Sequence, residues 1–116
     1  MIRLSKAVIT IHQNTDFRRV YGRGKSCKSP ALVIYSLKNR AGICRIGITT
    51  SKKLGGAVER NRCRRVIKEA YRHLAPECTG GWDIVFVARF KTLHLKSTDV
   101  ERSMRAQLRQ LGVIPI

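Results

Sequence analysis

The stretch that follows Gly55-Gly56 has one economical way to fold. At about 100° per residue, Cys63, Val66, Ile67, Ala70, Tyr71 and Leu74 collect into one apolar arc, while Asn61, Arg64, Arg65, Lys68 and Arg72 fall on the opposite side. The spacing predicts an amphipathic helix that packs one flank on a sheet and turns a cationic flank outward. Arg60 and Arg62 sit near the edges of the arc, and Pro76 ends the helix.

Like charges along one helical face repel one another, and only Glu59 and Glu69 are near enough to pair with them. The whole chain has the same bias, with 24 Lys+Arg against 7 Asp+Glu in 116 residues and a formal net charge of +17. Such a surplus attracts phosphate polymers or anionic membranes. With 43% hydrophobic residues the chain can still bury a core, so disorder is not expected, and residues 1–116 fit one domain. No apolar run is longer than that of Ala31 to Tyr35, far short of the ~20 residues that span a bilayer. Met1 to Thr10 lacks the long apolar stretch and small-residue cleavage site of a secretory signal. A cytoplasmic location without membrane contact is the expectation.

Cys27, Cys44, Cys63 and Cys78 form no Cys-x-x-Cys pair and have no histidine at ligand spacing, so no metal site is expected. In a reducing compartment they read as buried small hydrophobes.

Ahead of the basic helix, Asn14 can cap a short helix through Tyr21, in which Phe17, Val20 and Tyr21 share a face, with Gly22 and Gly24 stopping it. Leu32 to Leu37 and Ile43 to Thr49 read as strands; the polar turn through Lys38 and Gly42 makes an antiparallel hairpin the economical pairing. In the second of them Cys44, Ile46 and Ile48 share a side. A third strand, Trp82 to Ala88, puts Trp82, Ile84, Phe86 and Ala88 together. Thr98-Asp99-Val100-Glu101 has capping-box form and opens a last helix with a stripe of Val100, Met104, Leu108 and Leu111 that ends at Gly112. The expected class is α/β, a small mixed sheet packed against helices as a two-layer sandwich, in the order α-β-β-α-β-α.

The start of the basic helix has the makings of an anion site. Its unpaired amides carry roughly half a positive charge, where acidic side chains are normally favoured. Here Arg60 and Arg62 in the first turns, with Lys52 and Lys53 upstream of the double glycine, add to that field and leave amides open to phosphate.

The run SKKLGGAVERNRCRRVIK, Ser51 to Lys68, closely resembles the signature of the bacterial ribonuclease P protein family, with Arg60-Asn61-Arg62 in the place of its arginine-asparagine-arginine motif. Thr15 to Tyr21 followed by Arg23 to Ser26 resembles that family's amino-terminal helix and loop, and Leu32 to Tyr35 its first strand; about residues 13–90 follow the pattern. The resemblance implies a domain that binds a catalytic RNA and helps it remove the 5′ leader from precursor tRNA. The RNA, with Mg²⁺ held mainly by it, does the chemistry, and the chain supplies no catalytic residue and needs no obligate protein partner. It further implies that Lys52, Lys53, Arg60, Asn61, Arg62, Arg64, Arg65 and Lys68 contact the RNA subunit. A cleft between the amino-terminal helix and the sheet would receive the leader on Phe17, Tyr21 and Tyr35. Helical spacing alone is equally compatible with Phe17 and Tyr21 as core. A left-handed βαβ crossover around the basic helix is implied too, where the general rule predicts a right-handed one. Cys63 departs from the family's usual aliphatic residue, and Gly22 stands where a basic residue is common.

Two other classes fit part of the pattern. A protein nuclease would need His12, His73 and His94 ordered into an acid–base site, and nothing in the sequence orders them. A ribosomal protein or RNA chaperone would share the charge and size but not the ordered motif.

Overall fold

The computed structural model describes residues 8–115. Most of the segment read for a secretory signal, residues 1–7, therefore lies outside the described residues. Three helices, α1 (Asn14–Arg23), α2 (Ala57–Leu74) and α3 (Ser97–Gln110), surround four strands: β1 (Lys25–Lys28), β2 (Leu32–Lys38), β3 (Arg45–Thr49) and β4 (Trp82–Ala88). The sheet order is β1-β2-β4-β3, with β3 and β4 parallel and the other neighbours antiparallel. The mixed sheet packed against helices is as expected, with one strand more than the pattern shows. β1 is the sequence KSCK, whose single buried side chain, Cys27, is too little alternation to register.

The expected hairpin between Leu32–Leu37 and Ile43–Thr49 does not form. β4 lies between them, pairing Tyr35 with Val85 on one side and Gly47 with Val85 on the other. Its residues Asp83 to Phe86 are all buried. A strand covered on both faces belongs at the centre of a sheet, and β2 and β3 flank it. The connection between them crosses the end of β4 so closely that a Cβ on Gly81 would stand 2.3 Å from Asn39 Oδ1 and 2.7 Å from the Gly42 nitrogen. α2 then links β3 to its parallel neighbour β4.

α2 and α3 pack on one face of the sheet and on each other, with Ile67, Leu74, Met104 and Leu108 fully buried against Ile34, Ile84 and Phe86. Tyr71 meets the Phe86 ring at a centroid distance of 5.7 Å. Cys63 is fully buried in this core and Cys27 is buried, while Cys44 and Cys78 are half-buried. Burial pushes the Cys63 thiol up despite the neighbouring Arg62 charge. α1 crosses the opposite face, touching β2 and β4 with Val20 fully buried.

Cap positions shift slightly from the expected ones. α1 begins at Asn14 itself and runs through Gly22 to Arg23. α3 begins one residue early, with Asp99 Oδ2 accepting the Lys96 backbone N–H at 3.2 Å. At α2 the Glu59 carboxylate accepts the Gly56 N–H at 2.9 Å, so the one acid near this cationic start serves the backbone.

Candidate nucleic-acid interface

α1 and α2 lie on opposite faces of the sheet and meet at its β3 edge. There they wall a groove of about 470 Å³ whose floor is Ile46, Gly47 and Ile48, with Phe17 from α1 on one side and Arg64, Arg65 and Lys68 from α2 on the other. Thr10, Ile11 and His12 close one end. The segment is held there by Ile11 N–H donating to Ile46 C=O at 2.7 Å and Ile46 N–H donating to Ile9 C=O at 2.8 Å. The groove continues past Phe17, Ile48 and Arg64 into a second part of about 610 Å³ that reaches Arg18, Tyr21 and Thr49.

Phe17 owes its place to a glycine. A Cβ on Gly47 would lie 2.5 Å from the Phe17 ring, so the ring rests directly on bare backbone. Of the three residues on that helical face, Val20 is the core residue; Phe17 is half-buried and Tyr21 is 38% exposed. Tyr21 shares a hydrogen bond with Thr49 Oγ1 at 2.8 Å and receives Tyr35 edge-on at 4.9 Å between centroids. The Tyr21 ring is therefore fixed in orientation while part of it stays exposed. Tyr35 touches Tyr21 but lines neither part of the groove.

Every acid of the chain is already engaged. Glu69 pairs with Arg72 and His73, Glu101 with His73 and Arg105, Glu77 with Arg105, and Asp99 with Lys96 N–H, all along α2 and α3 away from the groove. Glu59 caps α2. Asp16 pairs with Arg19 at 2.7 Å. Asp83, the buried acid among the described residues, accepts from Arg45 Nε and Nη2 at 2.8 and 2.7 Å and from Asn39 Nδ2 at 2.8 Å. Burial opposes its charge, but the hydrogen bonds from Arg45 and Asn39 and the Arg45 charge outweigh it and hold the carboxyl below its ordinary range. The groove cations receive no such relief: Arg65 and Lys68 have no partner among the described residues, and Arg64 donates only to Thr50 Oγ1 at 2.8 Å.

The structure places the sequence-derived site residues in two sets. Arg64, Arg65 and Lys68 join Phe17 and Tyr21 in one groove. Lys52, Lys53, Arg60, Asn61 and Arg62 line neither part of it. Lys52 and Lys53 occupy a one-turn 3₁₀ segment, Lys52–Leu54, ahead of α2. Arg60 Nε reaches the Gly56 carbonyl at 3.4 Å, and Asn61 is exposed. Arg62 turns to the other flank of α2, where Nη2 donates to Leu95 C=O at 3.2 Å and Nη1 is buried without a partner among the described residues. Of the histidines, His12 lines the groove, His73 sits between Glu69 and Glu101, and His94 lies in the turn Phe90–His94, so they form no common site. Sequence reading missed Arg18, Thr49 and Gly47. For Gly47 the signal was present, since a lone glycine within a strand marks a close approach.

A four-stranded mixed sheet whose edge carries fixed aromatic rings opposite unneutralised guanidinium and ammonium groups defines a class of small basic α/β proteins shaped to meet a polyanionic strand. The comparisons with known proteins narrow this class. A family model described as Ribonuclease P matches residues 6–112. The ribonuclease P protein component of Clostridioides difficile (strain 630) is 41% identical over 104 residues, 89% of this chain and 91% of the relative. That of Clostridium botulinum (strain Loch Maree / Type A3) is 42% identical over 104 residues, 89% and 94% of the two chains. The solved structure of the Staphylococcus aureus RNase P protein superimposes with a TM-score of 0.82 at 30% identity, covering 93% of this chain and 99% of that one. The RNase P protein of Thermotoga maritima gives 0.76 at 26% identity, covering 92% and 98%. The chain belongs to the ribonuclease P protein family, the protein subunits of a tRNA-processing holoenzyme with an RNA partner.

Proposed function

We propose that this chain binds the catalytic RNA of ribonuclease P and seats the single-stranded 5′ leader of precursor tRNA, promoting removal of the leader. The observation that carries the reading is the meeting of Phe17 and Tyr21 with unpaired Arg65 and Lys68 at the β3 edge. Base stacking on an aromatic ring contributes roughly 1–3 kcal/mol per base with little regard for sequence, which suits a subunit that serves many precursors. Flanking cations hold the phosphates between stacked bases. Tyr35 supports the Tyr21 ring. Lys52, Lys53, Arg60, Asn61 and Arg62, set apart from the groove, are assigned to the RNA subunit, with Arg64, Arg65 and Lys68 lying where both RNAs can reach.

Among the described residues no three His, Cys, Asp or Glu side chains group as metal ligands, and the carboxylates are committed to arginines and amides. Family membership is the ground for assigning magnesium mainly to the RNA, where it would supply positive charge for phosphodiester hydrolysis; this chain's part is to orient the leader and neutralise phosphates. No helix among the described residues is long and apolar enough to cross a membrane, and the proposed place of action is the cytoplasm, as one domain without an obligate protein partner.

Reconstitution with the cognate ribonuclease P RNA at low magnesium tests the reading. Wild type should strengthen binding of precursor over mature tRNA, and Phe17→Ala should weaken precursor binding about 5- to 150-fold, the equivalent of one stacked base, while mature tRNA binds as before. Equal losses on both ligands would remove the leader from this groove.

A further inference from the structure

On its other flank α1 borders a second concavity, of about 470 Å³, in which Arg19, Arg23, Lys38, Arg40 and Arg45 surround the buried Asp83. The acid at its base does not repel an anion, because Arg45 and Asn39 hold it at 2.7 to 2.8 Å and Arg19 Nη2 adds a contact at 3.3 Å. Arg23 and Arg40 remain without a hydrogen bond or ion pair among the described residues, and Lys38 only lies 5.7 Å over the Trp82 ring. The concavity is not isolated. A shallow depression on the exposed side of α1, at Arg18, Gly22 and Arg23, shares Arg18 with the aromatic groove and Arg23 with the second concavity. Basic side chains therefore follow one another from the aromatic groove, over α1, to Arg40.

We propose that this track carries the backbone of the distal, 5′ part of the leader, beyond the nucleotides seated in the aromatic groove. The inference rests on reading that groove as the leader's seat. Its occupant is a single strand, because the track bends over a helix only about 10–12 Å across, whereas a duplex bends over lengths nearer 50 nm. Its contacts are to phosphates, because the exposed ends of the track are guanidinium and ammonium groups and the Trp82 ring lies beneath Lys38. Binding along it is therefore independent of sequence and grows with leader length until the track is filled.

The test compares holoenzyme binding to precursors with leaders of about 4 and about 16 nucleotides, the ends of the range that single-strand grooves cover. The double variant Arg23→Ala, Arg40→Ala removes two exposed, unpartnered cations. Each phosphate contact to a single strand contributes about 0.7 to the salt slope. For the long leader the slope should fall by about 1.4, equivalent to about 25-fold weaker binding near 0.1 M salt. The short leader and the catalytic RNA alone should bind as to wild type. An unchanged long leader, equal losses on both leaders, or a loss of affinity for the catalytic RNA alone would each overturn the proposal. Phe17→Ala on the same leaders separates the two readings: losses on both lengths with no effect of the double variant remove the track and keep the groove, and no loss on either removes the groove itself.

Discussion

Gly47→Ala is the smallest change that probes how the aromatic groove is built. The added Cβ would sit 2.5 Å from Phe17 Cε1 and 2.6 Å from Cζ, where carbon atoms prefer about 3.5–4.0 Å. The ring must retreat by about 1 Å or swing off the strand. Forcing an extra methyl into a packed contact costs about 1–3 kcal/mol, and for a domain of 116 residues each kcal/mol corresponds to a melting shift of about 4 °C. Displacing the ring also forfeits its stacking surface, worth about 1–3 kcal/mol per base or about 5- to 150-fold in leader affinity. Melting curves of the free protein and precursor binding by the holoenzyme measure the two losses. A second mutation isolates the cause: in Gly47→Ala, Phe17→Ala the clash is gone, so the pair should be no less stable than Phe17→Ala alone, a non-additivity expected of residues in contact. If Gly47→Ala melts and binds like wild type, or if the two effects simply sum, the ring does not depend on that bare backbone and the account of the groove is wrong.

Three other outcomes follow from the same contacts. Asp83→Asn leaves Arg45 and Arg19 facing each other without their counter-charge; removing one partner of a buried pair costs about 3–5 kcal/mol, and the 29% exposure of Arg45 places the loss at the lower end, readable by urea titration. Because the folded state holds the Asp83 carboxyl below its unfolded value, the stabilisation is complete above about pH 4 and is lost as pH falls through the folded value. Wild type should therefore converge on the variant only below about pH 4. Arg64→Ala should lower the salt slope of RNA binding by about one, and an unchanged slope would take this side chain out of the interface. Gly22→Lys should tighten binding of long leaders, since a side chain at Gly22 meets nothing within 4 Å, a lysine near a helix C-terminus is favoured, and the track gains a charge; weaker binding would count against a phosphate path over α1.

The elements that were legible in the sequence are those whose signal is local. The 3.6-residue arc from Cys63 to Leu74 and the stripe from Val100 to Leu108 locate α2 and α3, and the dense apolar run Ile84 to Phe86 locates β4. That run also held the clue to its central place, since it is apolar at successive positions and not only at alternate ones. Pairing was not legible, because nothing local to residues 32–49 records that a strand some forty residues later will separate them. The site was legible as residue types and not as a place. Phe17 and Lys68 belong to helices on opposite faces of the sheet, and only the edge position of β3 brings them into one groove.

The insertion of β4 between β2 and β3 has a consequence for biosynthesis. Until the ribosome has released residues past Ala88, the two earlier strands have no common neighbour, and the sheet cannot close from the amino-terminal half alone. Closure by so distant a segment is slow relative to local helix formation, and emerging chains meanwhile expose β-prone edges together with most of their cations. Newly made chains thus pass through a stage in which α2 can form while the groove does not yet exist, and fragments ending before Trp82 should remain protease-sensitive where the full chain resists.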